Sequence, residues 1–386
     1  HAHGTALICQ ISHLGRRTTW NAGDWLPVIG PSRVREPAHR GFPKAMDQAD
    51  IDRVVRHYAD AARRCRDGGL DGVEVIHNGH LLGQFLSPAV NKRSDGYGGS
   101  LANRARFALE VFEAIRAVTG SDFTVGIRME TEGLEEGTLT EPEALSFAHM
   151  LEAAGAVDYL SLNVGLPDHD HGLAENVVPA MFQKLAPWLS KVAAFKREVT
   201  LPVMHACRVS DIATARYAIE EGIVDLIGMT RAHIADPHLV RKMAAGEEAR
   251  IRPCVGAGFC IDRIYGEGEA LCLHNVATGR EKTIPHIVPK TNTPQRKVVV
   301  VGGGPAGLEA ARVSAERGHS VVLFEAAPKL GGQVRVAAQA SVRKDLIGIV
   351  DWLVSEVELL GVDIRYNCFT ADEDVAAENP DVVIIA

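Results

Sequence analysis

The chain has 386 residues, 46% of them hydrophobic and 23% charged, the balance of a globular protein with enough apolar surface for two or three domains without disulfide staples. A formal net charge of −8 argues against nucleic acid or an anionic membrane as the partner, and no apolar run reaches the roughly 18 residues of a membrane span. Seven cysteines, unevenly spread, do not make a secreted disulfide scaffold, so with no secretory leader expected the composition points to a reducing, cytoplasmic setting.

In chain order, short apolar runs alternate with amphipathic ones. Strands are expected at Ala6–Ile11, Gly72–Ile76, Phe123–Arg128, Tyr159–Asn163, Pro202–Ala206 and Asp225–Met229. A helical segment follows each; over Asp50–Asp67, residues Ile51, Val54, Val55, Tyr58, Ala62 and Cys65 recur at helical spacing. Strand–helix alternation implies a parallel sheet with helices outside. Six such units in a row fit a TIM (β/α)8 barrel better than an open doubly wound sheet, with the first two strands expected before His1. A Pro/Thr/Asn linker at Ile284–Pro294 precedes a second unit: strand KVVVV, turn GGGPAG, helix Leu308–Arg317 and strand SVVLFE. The expected division is a partial barrel over 1–250, a cysteine segment over 251–283, a linker over 284–296 and a partial Rossmann-like dinucleotide-binding domain over 297–386.

Gly302, Gly304 and Gly307 form G-x-G-x-x-G between strand and helix. The first allows the tight turn, the second lets the backbone approach a pyrophosphate, and the third lets helix pack on strand. The helix N-terminus offers unpaired N–H groups to phosphate. Glu325 ends the next strand, where a carboxylate accepts from ribose hydroxyls, and the LGGQV run, with Gly332 and Gln333, supplies a second glycine turn. In the barrel, active sites sit at strand C-terminal ends. There the sequence places Gln10, the HNGH run His77–His80, Arg128, Asn163, His205 and the GMTR run Gly228–Arg231. A buried strand end has no structural need for Arg128, so its charge suggests an anionic partner. The DHDH run Asp168–His171 reads as a polar loop rather than a dedicated metal site.

Cys254, Cys260 and Cys272 lie in one stretch, six and then twelve residues apart. Thiolates so spaced suit an iron–sulfur cluster; zinc and three plain buried cysteines are the other readings.

The stretches ICQISHLGR, GLDGVEV, QFLSPAVNKRSDGYGGSLANRARF, GMTRAHIADP, RPCVGAGFC and VVVVGGGPAGLEAARV together resemble the Old Yellow Enzyme-like flavoproteins that carry a cluster and a second nucleotide domain. That family includes trimethylamine, dimethylamine and histamine dehydrogenases, 2,4-dienoyl-CoA reductase and N-methylproline demethylases. The resemblance implies FMN in the barrel: Gln10 on the flavin pyrimidine edge, Arg128 near N1 and O2 of the ring, Gly228, Thr230 and Arg231 at the phosphate, and Arg208 assisting. It implies a 4Fe-4S or 3Fe-4S cluster on Cys254, Cys260 and Cys272, and FAD or ADP in the second domain. Expected partners are a small-molecule substrate with an electron-transfer protein or NAD(P)H, in a homo-oligomer.

Three departures from the family pattern bear on function. Ala257 stands where the family has its second cluster cysteine, so the ligand set is one thiolate short. His80 stands where enoate reductases of the family present a tyrosine proton donor. Asn78, Ile76 and Ile264 replace residues that line the trimethylamine site, so its aromatic cage is not reproduced. The expected activity is oxidative demethylation of an N-methyl amine or N-methylated amino acid, with Asn78 and His80 positioning the substrate. The alternative is an NAD(P)H-dependent enoate or dienoyl-CoA reductase with His80 as proton donor.

Overall fold

A computed structural model describes residues 1–18, 27–266 and 268–386. The chain divides into two compact units: His1–Pro179 with Ala186–Val209 and Thr214–Gly228, and Ala180–Leu185 with Ser210–Ala213 and Met229–Ala386.

The first unit contains strands β1 (Ile8–Ile11), β2 (Ile29–Gly30), β3 (Lys44–Ala45), β4 (Gly72–Ile76), β5 (Thr124–Glu130), β6 (Tyr159–Asn163), β7 (Val203–His205) and β8 (Leu226–Ile227). Six of them form one parallel sheet in the order β1-β4-β5-β6-β7-β8. The order never reverses. A doubly wound sheet must reverse at a switch point, whereas a barrel winds its strands one after the next. All six expected strands are present: Gly72–Ile76 and Tyr159–Asn163 match at both ends, and the others shift by at most two residues at an end. The short β2–β3 ladder was not foreseen: two residues per strand carry no periodic signal.

The helix Gln48–Asp67 begins two residues before the expected Asp50 because Asp47 caps it. The Asp47 carboxylate accepts from the Asp50 N–H at 3.0 Å, and Asp50 accepts from the Asp47 N–H at 3.3 Å. Ile51, Val54, Tyr58 and Ala62 bury the stripe read from the sequence, while Val55 and Cys65 sit at its edge. Inside the sheet, Gly126 makes room for a neighbour: a Cβ there would lie 2.2 Å from Cζ of Tyr159.

The second unit holds β9 (Lys297–Val301), β10 (Ser320–Phe324), β11 (Asp363–Arg365) and β12 (Val382–Ile385), all parallel in the order β11-β10-β9-β12. The strand order reverses beside β9, which opens a crevice at its C-terminal end, where the glycine turn lies. The following helix spans Pro305–Glu316, three residues earlier than expected, because Pro305 pre-sets the dihedral of a first helical turn. The cysteine stretch contains a helix that the sequence did not suggest, Phe259–Tyr265, entered through left-handed Gly258. Among the described residues, no helix is long and apolar enough to cross a membrane.

Gly307 is the tightest point of the turn: an added Cβ would lie 1.9 Å from the carbonyl oxygen of Gly302. Gly307→Ala is therefore expected to push the helix off the strand and destabilise the second unit by about 2–3 kcal/mol, measured by urea denaturation. A change below about 0.5 kcal/mol would show that the turn is looser than described.

Candidate flavin and nucleotide sites

Strand register decides which side chains meet inside the first unit. Gln10 on β1 stands opposite Glu74 on β4, and Arg128 on β5 stands opposite Ser161 on β6. The Gln10 amide donates to Glu74 Oε1 at 2.5 Å, and the Tyr159 hydroxyl donates to Glu74 Oε2 at 3.0 Å. Arg128 donates to Asn163 Oδ1 at 2.9 Å and to the Ser161 hydroxyl at 3.4 Å. Burial pulls the Arg128 pKa down, and the charge of Glu74 opposes that pull. The strand ends thus present a fixed, desolvated cation backed by a carboxylate.

Two buried atoms beside this cation have no hydrogen-bond partner among the described residues: the Asn163 amide nitrogen and His205 Nε2. His205 Nδ1 donates to the Leu162 carbonyl at 2.8 Å, and burial pushes the ring down to about 4. The ring is therefore neutral near pH 7, with Nε2 an acceptor. A donor, an acceptor and a cation converging at a barrel mouth fit the polar, electron-accepting edge of an isoalloxazine ring.

Asn78 and His80 follow β4 at the same end. The backbone N–H groups of His77 and Asn78 both bond the Arg128 carbonyl, at 2.8 and 3.0 Å. The Asn78 amide donates to the Gly165 carbonyl at 2.9 Å and to Glu130 Oε2 at 3.4 Å. Glu130 also pairs with His77 at 3.1 Å; burial works to raise its pKa, but His77 and the hydrogen bonds outweigh that and hold it below the ordinary range. His80 is hydrogen-bonded to the Ser12 hydroxyl, and burial, then the charge of Arg17, brings its pKa to about 4.

The other expected flavin ligands are placed as follows. Arg208 is buried, with a left-handed backbone at φ 53°. The Gly228 N–H goes to the His205 carbonyl at 2.9 Å, and a Cβ at Gly228 would lie 2.5 Å from that of Ala206, so close packing already requires the glycine. Thr230 and Arg231 open the helix Thr230–Ala235 in the second unit, where Arg231 faces the cysteines. The DHDH run disperses: Asp168 pairs with Arg16 at 2.7 Å, His169 with Glu135, and His171 with Glu175 at 3.2 Å. Sequence reading missed Glu74, Tyr159, Arg16, Arg17 and Glu36. A glutamate in the middle of GVEVI and a double arginine after a glycine were the available signals.

In the second unit, Gly302 is left-handed at φ 107°, and a Cβ on Gly304 would meet nothing within 4 Å. The space beyond Gly304 is the open face that a pyrophosphate would need. Gly332 closes against it, with its own Cβ direction 3.3 Å from Gly304 Cα. The Glu325 carboxylate accepts from the Gly303 N–H at 2.8 Å and the Ala327 N–H at 2.7 Å, so it also braces the turn. Gln333 lies on the helix Gly332–Ala337 just after.

Cys254, Cys260 and Cys272 line one small pocket with Gly256, Gly258, Ala257, Arg231 and His274. Burial pushes the Cys254 and Cys260 thiols up, against the charge of Arg231. Among the described residues, no three His, Cys, Asp or Glu side chains are arranged as a metal site. Ala257 instead packs against the apolar core of the second unit.

Residues 1–250 match the NADH:flavin oxidoreductase / NADH oxidase family, and residues 300–347 match an NAD(P)-binding Rossmann-like domain. The chain is a member of that flavin oxidoreductase family. It is 53% identical to a multifunctional alkene reductase/demethylase of Caballeronia cordobensis, over 100% of this chain and 56% of that protein. It is 49% identical to a probable N-methylproline demethylase of Rhizobium meliloti, over 100% of this chain and 57% of that protein. A solved complex of 2-naphthoyl-CoA reductase superposes with a TM-score of 0.93 at 30% identity, covering 100% of this chain and 60% of that one. The chain thus spans little more than half the length of the curated relatives it matches.

His205 sets a pH dependence. The ordinary imidazole value is 6.5 and the folded value about 4, so between them the unfolded chain binds the proton that the folded one refuses. The stability this ring contributes is full above pH 6.5 and is lost as pH falls toward 4. Urea denaturation is expected to show His205→Gln flattening the loss of stability between about pH 7 and pH 5, by up to about 2 kcal/mol; an unchanged pH slope would contradict the assignment.

Proposed function

We propose that this chain is the FMN-binding and nucleotide-binding part of an oxidative demethylase acting on an N-methyl amine or N-methylated amino acid. The observation that carries the reading is the fixed Arg128 cation at the strand ends beside a neutral His205 acceptor, in a chain 49% identical to a probable N-methylproline demethylase. Gln10, Arg128, Arg208 and Gly228 would hold the flavin. FMN, when bound, supplies the two-electron oxidant for an N–CH3 group. Asn78 and His80 orient the substrate nitrogen. His80 is uncharged at neutral pH, so it accepts a hydrogen bond from an ammonium or leaves a neutral amine unprotonated beside it.

The same low pKa weighs against the second reading, alkene reduction, which one relative also performs by its name. A neutral imidazole is a poor proton donor to a carbanion. The two readings separate in one anaerobic experiment on the full-length protein. Bleaching of the flavin absorbance by N-methylproline without any nucleotide is expected; a flavin that NADPH bleaches and N-methylproline does not would overturn the demethylase reading.

In the second unit, Gly302, Gly304, Gly307, Glu325, Gly332 and Gln333 would cradle the ADP portion of FAD, or ADP itself. The division proposed for the chain is 1–250 for the flavin barrel, 251–283 for the cysteine segment, 284–296 for a linker and 297–386 for the nucleotide domain. The protein is proposed to work in the cytoplasm as a homo-oligomer, passing electrons to a protein acceptor or exchanging them with NAD(P)H.

Three half-buried cysteines line one pocket together with Ala257, and that shared lining supports the reading of a three-thiolate site. Cys254, Cys260 and Cys272 would hold an iron–sulfur cluster, which supplies one-electron transfer. Anaerobically purified protein is expected to carry about three or four irons with matching sulfide and an EPR signal that is lost in Cys260→Ser; zinc alone, or three freely titrating thiols, would refute the cluster.

A further inference from the structure

The turn Gly15–Arg17 is pinned against the segment that carries His80. The Gln84 amide accepts from the Arg16 N–H at 3.0 Å and donates to the carbonyls of Leu14 at 2.9 Å and Gly79 at 3.1 Å. The Leu81 N–H bonds the His13 carbonyl at 2.9 Å. Gly15 is left-handed at φ 61°, and a Cβ there would lie 2.3 Å from Gln84 Oε1, so only glycine turns here. This close seam sets Arg17 within electrostatic reach of His80.

Both arginines are buried. Arg16 is engaged through its terminal nitrogens: it donates to the Arg35 carbonyl at 2.9 Å and pairs with Asp168 at 2.7 Å. Arg17 is not. Its side chain is 6% exposed, its nearest counter-charge is Glu36 Oε1 at 3.7 Å, and neither Arg17 Nε nor Glu36 Oε1 has a hydrogen-bond partner among the described residues. Glu36 Oε2 is occupied by the His39 N–H. Arg16 Nε and Asp168 Oδ1 are open as well. Four ionic side chains thus share one buried cluster, each with an unused hydrogen-bonding position, which is costly without a ligand that completes them.

We propose that this cluster is a recognition site for the carboxylate of an amino-acid substrate, with Arg17 as its anchoring cation. The proposal rests on the demethylase reading and narrows it from N-methyl amines in general to N-methylated amino acids. A planar carboxylate matches the guanidinium fork and takes two parallel hydrogen bonds, which a bare amine cannot offer. The influence of Arg17 on His80 shows that a carboxylate held here lies within electrostatic reach of the residue that orients the nitrogen.

The test is calorimetric binding of L-proline, the demethylated acid, and of pyrrolidine, its analogue without a carboxylate, to full-length protein. Wild type is expected to bind proline the more tightly. Arg17→Gln is expected to lose about 10- to 100-fold of the proline affinity, with the proline-to-pyrrolidine ratio collapsing toward one. Arg17→Lys, which keeps the charge and so the fold, falls between. Equal weakening of both ligands, or no preference for proline in wild type, would overturn the site. Failure of N-methylproline to bleach the flavin, with Arg17-dependent proline binding intact, would instead overturn the demethylase reading and leave the site standing.

Discussion

Glu74 is a carboxylate buried in the middle of a parallel sheet, and the polar strand ends of the first unit are arranged around it. It accepts from Gln10 on one neighbouring strand and from Tyr159 two strands away. Tyr159 reaches it only because Gly126 leaves the intervening position empty. A buried charge of this kind is tolerable only when it is fully hydrogen-bonded and faces an opposite charge, and Arg128 provides the second condition. The Arg128 cation at the strand ends is therefore balanced by a carboxylate buried in the sheet.

The order of strands was legible because each barrel strand is a largely apolar run between turn signals, followed by a helical segment. The glycine turn was legible for a different reason. Its requirements are backbone requirements, and only glycine meets them at Gly302 and Gly307. Side-chain partnerships were legible only in part. Arg128 announced itself as a charge at a strand end, but nothing in a linear sequence says that Glu74 lies opposite Gln10, since that follows from register. Arg17 ends a three-residue 3-10 helix and Glu36 lies on a loop, both too short to carry a period.

In the cysteine segment Ala257 has a packing role of its own. Ala257 lines the same pocket as the three thiols, yet it also packs with Val255 against the apolar core built by Leu308, Leu330 and Trp352. A methyl group there is useful to the fold whether or not metal is present. His274 lies edge-on to Trp352, and Arg252 stacks over the same indole at 4.4 Å, so the segment is anchored by aromatic contacts independent of the sulfurs.

The seam around Gln84 has a kinetic meaning. One side chain closes hydrogen bonds with the backbone of residues 14, 16 and 79 at once, and a carbonyl of residue 13 holds the amide of residue 81. Neither segment can lift away without breaking the whole set, so the two loops open as one cooperative unit rather than fraying separately. Hydrogen exchange at the amides of Arg16 and Leu81 is then governed by one shared opening of the two loops.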